Sequence, residues 1–438
     1  MRAMKDSGIA WIGEIPEEWK ICKIKQLADQ NEENSFVDGD WIESPYIMDS
    51  GIRYLTTGNI GDGVFKEQGN GFISLRTFEK LSCKYAFPGD LIFSRLNAPY
   101  GRSCILPSDF TEYVVAVDNV ILRTQEDKRY ICYVSQCDGY KQAVDDEAKG
   151  TTMRRISRTN LGNIVIPLPP IQQQRRIADY LDRKCGQIDA IIARQQEVIE
   201  KLKAYKLSVI TEAVTKGLNP HAPMKDSGVE WIGEIPEQWE NRKMISILSM
   251  RVVDGPHESP ELYDEGIPYI SATAVENGKI NFDLMRGYIS EEYCNICDLR
   301  YKPQLHDILV IKLGASTGQV AIVETTDRFN IWVPLAAVRC NEKADPYFVY
   351  YAFQSDYFLK QMEMSWTYGT QQTLGVKSIE RLRIMLPTLE EQKEIVCYLK
   401  SKCDSIDAAV KNKEILIDKL ADYKKSLIYE VVTGKKEV

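Results

Sequence analysis

The chain has 438 residues, 44% hydrophobic and 27% charged, too long for one core and suited to two or more domains of a soluble globular protein. Lys and Arg number 55 against 63 Asp and Glu, a net charge of -8, whereas a protein that holds nucleic acid unaided carries a basic excess. Either the chain binds no nucleic acid, or partners supply most of the phosphate contacts. The 11 cysteines, an odd number, point to a reduced compartment. The sequence has no apolar run of transmembrane length, and Lys5, Asp6 and Glu14 stand where a signal peptide would place its core, so a cytoplasmic protein without membrane contact is expected.

In chain order, residues 4–20 (MKDSGIAWIGEIPEEWK) return at 224–240 with 13 of 17 positions identical. Trp11, Ile12, Ile15 and Trp19 bracket Gly13 and Pro16, which predicts a packed turn, neither strand nor helix, that docks the start of each repeat onto an apolar surface, with the long helix as nearest candidate. A variable region follows each head. GIRYL at 51–55 answers to GIPYI at 266–270, GFIS at 71–74 to GYIS at 287–290, and DLIFSR at 90–95 to DILVIK at 307–312. Strands are expected over 54–60, 91–95 and 114–123, bounded by Gly, Pro and Asn, with one helix capped by Ser74 and another over 130–144. The class is mixed α/β. Each region ends in a Gly-Thr polar stretch, KGTTMRRISR at 149–158 and GTQQTL at 369–374, before prolines lead into a long helix.

That helix is predicted over 171–215 and returns near the C-terminus; between 168–215 and 386–433, 21 of 48 positions are identical. Leu181, Ile188, Ile192, Ile199 and Leu202, answered by Leu399, Ile406, Val410, Ile417 and Leu420, fall on alternating four- and three-residue steps, the seam of a coiled coil. Polar residues interrupt both seams at the same two places, Gln195 and Lys206, Lys413 and Lys424, as register-fixing breaks do. Two such seams in one chain most simply cover each other.

No methyltransferase Asn/Asp-Pro-Pro-Tyr/Phe motif, phosphate loop or clear nuclease cluster occurs. Gly314 to Gly318 lacks the lysine and spacing of a phosphate loop and reads as a tight turn. Cys294 and Cys297 form a lone pair of metal-type spacing with no second pair, and His221, His257 and His306 are scattered, so no metal and no cofactor are expected.

The DSGxxWIGEIPxxW heads, the Gly89-Asp90-Leu-Ile segment and the Leu-Pro-Pro/Thr-x-x-x-Gln helix entries at Leu168 and Leu386 resemble the specificity subunit of type I restriction-modification enzymes, over the whole chain. The second copy departs at His306, where the first has Gly89. The resemblance implies a non-catalytic subunit in which two pseudo-symmetric target recognition domains are joined by two long antiparallel coiled-coil helices. Each domain would read half of a bipartite target in double-stranded DNA. The helices would space the domains and dock two adenine methyltransferase subunits, with restriction subunits joining through these to form an ATP-dependent endonuclease. On this layout the head and first recognition domain take residues 1–165, the central helix 166–217, the linker, second head and second domain 218–385, and the C-terminal helix 386–438. The competing reading is a non-catalytic coiled-coil scaffold with two protein-binding heads.

DNA contacts are expected on two segments of each domain. In the first, Lys149, Thr151, Thr152, Arg154, Arg155 and Arg158 combine four basic residues with hydroxyls that bond phosphate or base edges, the alternative being a solvated loop. Thr370, Gln371 and Gln372 hold the matched place in the second, with Lys377 beyond, and glutamine suits adenine where arginine suits guanine. The turn after the Asp90 strand adds Arg95, Asn97, Tyr100 and Arg102, answered by Lys312, Ser316, Thr317 and Gln319, with a purely structural hairpin as the alternative.

Overall fold

The computed structural model describes residues 2–150, 153–368 and 372–438. The chain packs as two compact units, one of Met1–Gln195 with Glu414–Val438, the other of Gln196–Lys413, so each unit takes part of both long helices.

Each unit opens with its head. Met4–Asp6 pairs antiparallel with Glu14–Pro16, and Met224–Asp226 with Glu234–Pro236. The heads are therefore small β-ribbons, a correction to the strandless turn expected. Gly8 and Gly13 sit at φ of 70° and 67°, a left-handed conformation open to glycine, and this reverses the chain sharply enough to bring its flanks into register. Trp19 and Trp239 are fully buried, and their indole N–H groups donate to Gln173 at 2.7 Å and Glu391 at 3.0 Å in the first turn of each long helix. The heads thus dock on the helices. Next, Lys20–Lys23 pairs with Val165–Leu168, and Glu240–Lys243 with Arg383–Leu386, so the first and last strands of each variable region close it.

Within each region lie two sheets of three or more strands. The four-stranded antiparallel sheet of the first unit has the order Phe36–Asp38, Asn119–Leu122, Leu91–Ser94, Ser103–Ile105; that of the second has Val253–Asp254, Leu335–Val338, Ile308–Ile311, Val320–Ile322. The three-stranded sheets place Ile52–Leu55 between Phe72–Ile73 and Tyr113–Val115, and Ile267–Ile270 between Gly287–Ile289 and Asn330–Ile331. The run expected over 54–60 is strand only to Leu55, because the buried Asn59 side chain accepts from the Thr56 N–H and turns the backbone. The run over 114–123 is two strands of different sheets. The helix over 130–144 is likewise two, Lys128–Gln136 and Asp138–Glu147, broken where Cys137 is extended; Ser355 breaks its counterpart between Pro346–Gln354 and Asp356–Met364. Ser74 caps Leu75–Leu81 as expected, accepting from the Thr77 N–H at 3.0 Å.

The long helices span Ile171–Lys216 and Leu389–Val432. In the first unit Leu181, Cys185 and Ile188 share a core with Leu427, Ile428, Val431 and Val432; in the second Val209, Ile210, Ala213 and Val214 share one with Ile395, Leu399 and Cys403. Both pairings run antiparallel. Ile199 and Ile406 are also buried, while Ile192, Leu202, Val410, Ile417 and Leu420 are half-buried. The polar seam positions Lys206 and Lys424 reach across to both carboxylate oxygens of Asp407 and Asp189, at 2.7 Å each, so one ion pair occurs once in each unit. In the first unit the Tyr130 hydroxyl lies 2.9 Å from the Pro167 carbonyl oxygen and 3.1 Å from that of Val432, and the Lys435 ammonium bonds the Ile12 carbonyl. The end of the C-terminal helix therefore meets the first head.

The glutamines of the two helix entries have a structural role. Gln174 and Gln392, both 0% exposed, accept from the N–H of Asp127 and Asp345 and donate to the carbonyls of Pro169 and Pro387. Each ties the start of a long helix to the cap of the helix packed beside it.

Candidate nucleic-acid interface

Antiparallel order puts one set of connections at one end of each four-stranded sheet. In the first unit, Asp38 and Ser94 end strands there, and Ser103 and Asn119 begin them. The parallel pair Ile52–Leu55 and Tyr113–Val115 delivers Thr56 and Ala116 to the same rim, since Ala116 leads into Asn119. The 149–158 segment joins it through bridges of Arg155 with Leu96 and with Lys149. The second unit repeats this: Thr373 bridges Leu313 and pairs with Thr367. In each domain the two segments singled out in the sequence therefore lie side by side.

Beneath the rim is a shared frame. Arg95, 8% exposed, donates to the carbonyls of Val117 at 2.6 Å and Ile156 at 3.3 Å and pairs with Asp38 at 3.2 Å; Lys312, 9% exposed, pairs with Asp254 at 2.8 Å. Arg102 is buried, its guanidinium engaged by the carbonyls of Ile60, Leu96, Asn97, Pro99 and Thr57. The buried Thr317 hydroxyl donates to the Gly314 carbonyl at 2.6 Å. All four of these expected DNA contacts point their polar groups into the frame beneath the rim. Apart from the Arg95 Nε, which has no hydrogen-bond partner among the described residues, their donors are desolvated and already satisfied, and withdrawing one would strand a buried partner at a cost of about 1–3 kcal/mol. Asp38 and Asp254 were missed, although both stand before a glycine in matched copies, Asp38-Gly39 and Asp254-Gly255. Burial alone would raise the Asp254 carboxyl, but the hydrogen bond and charge of Lys312, with Arg300 and His257 beyond, hold it below the usual carboxylate range.

Other candidates are presented to solvent. Arg155 is exposed, its guanidinium 3.5 Å from Asp118, and Arg158 is partly exposed, 3.6 Å from Asp38. Lys149 is exposed on the bridge beside them, and with Leu96, Asp118, Gly150, Met153 and Arg155 it lines a concavity in the rim. Arg154 is held back. It grips both oxygens of the Asp145 carboxylate at 3.1 Å, the Asp145 carbonyl at 2.7 Å, and stacks 5.9 Å from the half-buried Tyr100 ring, so it braces the loop. Asn97 is exposed at φ 62°, with its amide 3.4 Å from the Thr57 hydroxyl. In the second unit Gln319 and Lys377 are exposed and Ser316 and Gln372 half-buried; the Gln372 carbonyl accepts from the Gly314 N–H at 3.1 Å, which holds its loop to the turn. Thr151, Thr152, Thr370 and Gln371 lie outside the described residues.

His306 takes φ 69° where Gly89 takes 83°, so the departure noted between the copies falls on a shared left-handed turn. Cys294 and Cys297 are buried on the helix Glu291–Arg300, and burial pushes the Cys297 thiol up to about 11. They pack as small core residues. Among the described residues no group of three or more His, Cys, Asp or Glu gathers as for a metal, and no helix is long and apolar enough to cross a membrane.

Residues 16–201 and 236–416 each match the family model of the type I restriction modification DNA specificity domain. The chain is 27% identical over 436 residues to a putative type I restriction enzyme MjaX specificity subunit of Methanocaldococcus jannaschii, spanning 97% of this chain and 95% of that one. It is 28% identical over 443 residues to the MjaVIII specificity subunit of the same organism, spanning 96% and 93%. A solved chain, from work on complex assembly and conformational transition of the type I R-M system, shares the fold with a TM-score of 0.71 over 96% of this chain and 99% of its own, at 15% identity. With two copies of the domain along most of its length and one frame repeated in both, the chain belongs to the type I restriction-modification DNA specificity family.

Proposed function

We propose that this chain is the DNA-specificity subunit of a type I restriction-modification complex, non-catalytic itself, whose two rims each read one half of a bipartite target in double-stranded DNA. The observation that carries the reading is the split between frame and rim: the ion pairs Asp38–Arg95 and Asp254–Lys312 recur, while the exposed and half-buried side chains above them change from Lys149, Arg155 and Arg158 to Gln319, Gln372 and Lys377. A fixed platform carrying different donors and acceptors is what two different half-sites require. The helices set the unread gap and dock two methyltransferase subunits, through which restriction subunits join. The net charge of -8 fits a subunit that leaves most phosphate contacts to those partners. The test is to map methylated adenines in cells that carry the chain with its methyltransferase partners. A two-part motif with an unread gap is expected. Methylation without any such motif would favour the scaffold reading.

A further inference from the structure

Basic and amide side chains leave one exposed ring on the first rim without a role. Trp41 is 70% exposed, although an indole is among the side chains that gain most from burial. Its exposure does not come from a loose loop. The Gly39 N–H donates to the Asn119 carbonyl at 2.9 Å and the Asp40 N–H to that of Val115 at 2.8 Å. The Asp40 carboxylate accepts from the Lys84 N–H at 2.7 Å, and Ile42 on the far side is in the core. A backbone clamped on both sides thus holds the ring in solvent, directly after the strand end at Asp38 that anchors Arg95 and Arg158.

The second unit has the same device. A Cβ on Gly39 would fall 2.2 Å from the Val115 carbonyl oxygen, and one on Gly255 2.3 Å from that of Ile331, so both glycines mark the same tight backbone crossing. Two residues on from each stand Trp41 and His257, and the His257 side chain is 68% exposed with Nε2 3.4 Å from the Asp254 carboxylate. The letters differ, but a planar ring stands on both rims at the matched position.

We propose that Trp41 and His257 are the ring contacts of the two rims with double-stranded DNA, each packing its ring against a deoxyribose of its own half-site. A ring packed on a sugar meets every nucleotide alike, and sugar contacts fix register without carrying sequence information, so these residues add affinity and register without choosing bases. A loop already fixed also loses little freedom on binding. The inference rests on the reading of the rims as DNA-facing.

The test uses the assembled methyltransferase complex and a duplex carrying the target that the wild-type methylome reveals. Trp41→Ala should lower kcat/KM for methylation by about 10-fold, the size of one lost aromatic contact, with the motif unchanged at every position and the unfolding midpoint of the complex unmoved. Trp41→Phe, which keeps a ring, should restore most of the loss. Equal activity of Trp41→Ala and wild type would overturn the inference alone, as would a loss that Trp41→Phe does not restore, since the ring face would then not be the contact. A wild-type complex that methylates no bipartite target would overturn the reading of the rims and this inference with it.

Discussion

Asp90 with Arg123 in the first unit and Asp307 with Arg339 in the second are one ion pair written twice, and so are Asp38 with Arg95 and Asp254 with Lys312. Directly above them the two rims share places but not chemistry. Exposed Arg155 stands two residues before Ser157, the cap of a short helix, whereas the matched Thr373 stands two before Gly375 at the same point. The comparison separates two kinds of likeness between copies. Where a charge repeats and is buried, it holds the domain together; where a position repeats and its side chain changes in the open, it is free to differ because the fold does not need it.

The largest expected effect is on the heads. Trp19→Ala and Trp239→Ala should each destabilise by about 3–5 kcal/mol, because each removes a fully buried indole and leaves a cavity against a long helix. Urea unfolding followed by circular dichroism would check this, and a large loss for one tryptophan only would break the equivalence of the heads.

Next come the repeated ion pairs, where the copies should differ in degree. Asp307 accepts from Arg339 twice at 2.7 Å, from the Tyr301 hydroxyl at 2.7 Å and from the Gln304 N–H at 2.8 Å; Asp90 accepts from Arg123 at 3.2 Å and the Phe87 N–H at 3.0 Å. Removing one partner of a buried pair costs about 3–5 kcal/mol, so Asp307→Ala should reach that range and Asp90→Ala fall short of it. The reverse order in the same unfolding series would contradict the frame described here.

Acid gives a third comparison. The Asp254 carboxyl titrates below its ordinary value of 3.8, so its contribution to stability is fully present above that value and is lost as pH falls through the lower, folded one. Lys312→Met removes the main cause, and its stability deficit should be full near neutrality and shrink below pH 3.8. A deficit that stays constant down to the acid transition would show that the pair does not set the carboxyl.

The smallest effect belongs to the helix pair. Lys206→Ala and Lys424→Ala each break an ion pair at the edge of the seam, and each should cost about 0.2–1 kcal/mol, equally in the two units. A cost of several kcal/mol for either would mean that the polar seam positions act as buried charges.

Much of this frame was legible in the letters. The heads, the long helices and their seams carry periodicity and repetition, which survive without coordinates because each is a statement about spacing. The break at Ser355 was not legible, since no proline or glycine marks it, and at Cys137 the only sign is the Asp138-Gly139 pair that opens the second helix. The site was legible by segment and not by residue. Arg95 and Lys312 looked like readers because both copies keep a positive charge there, but a sequence does not say whether a guanidinium faces a phosphate or the carbonyls of Val117 and Ile156. Arg154 and Arg155 are neighbours of one type, and only the place of Asp145 decides that the first is tied down and the second left open.

That last contrast allows the most direct test of the account. The methylome of cells carrying the methyltransferase partners would be read with the wild-type chain and with Arg155→Ala. If the first rim reads one half-site through Arg155, that half should lose discrimination at one base pair by about 1–3 kcal/mol while the other half and the gap stay as they were. An equal loss at every site, with both halves still read as before, would contradict it: Arg155 would then only hold phosphate, and the changed chemistry of the rims would not be what distinguishes the two halves.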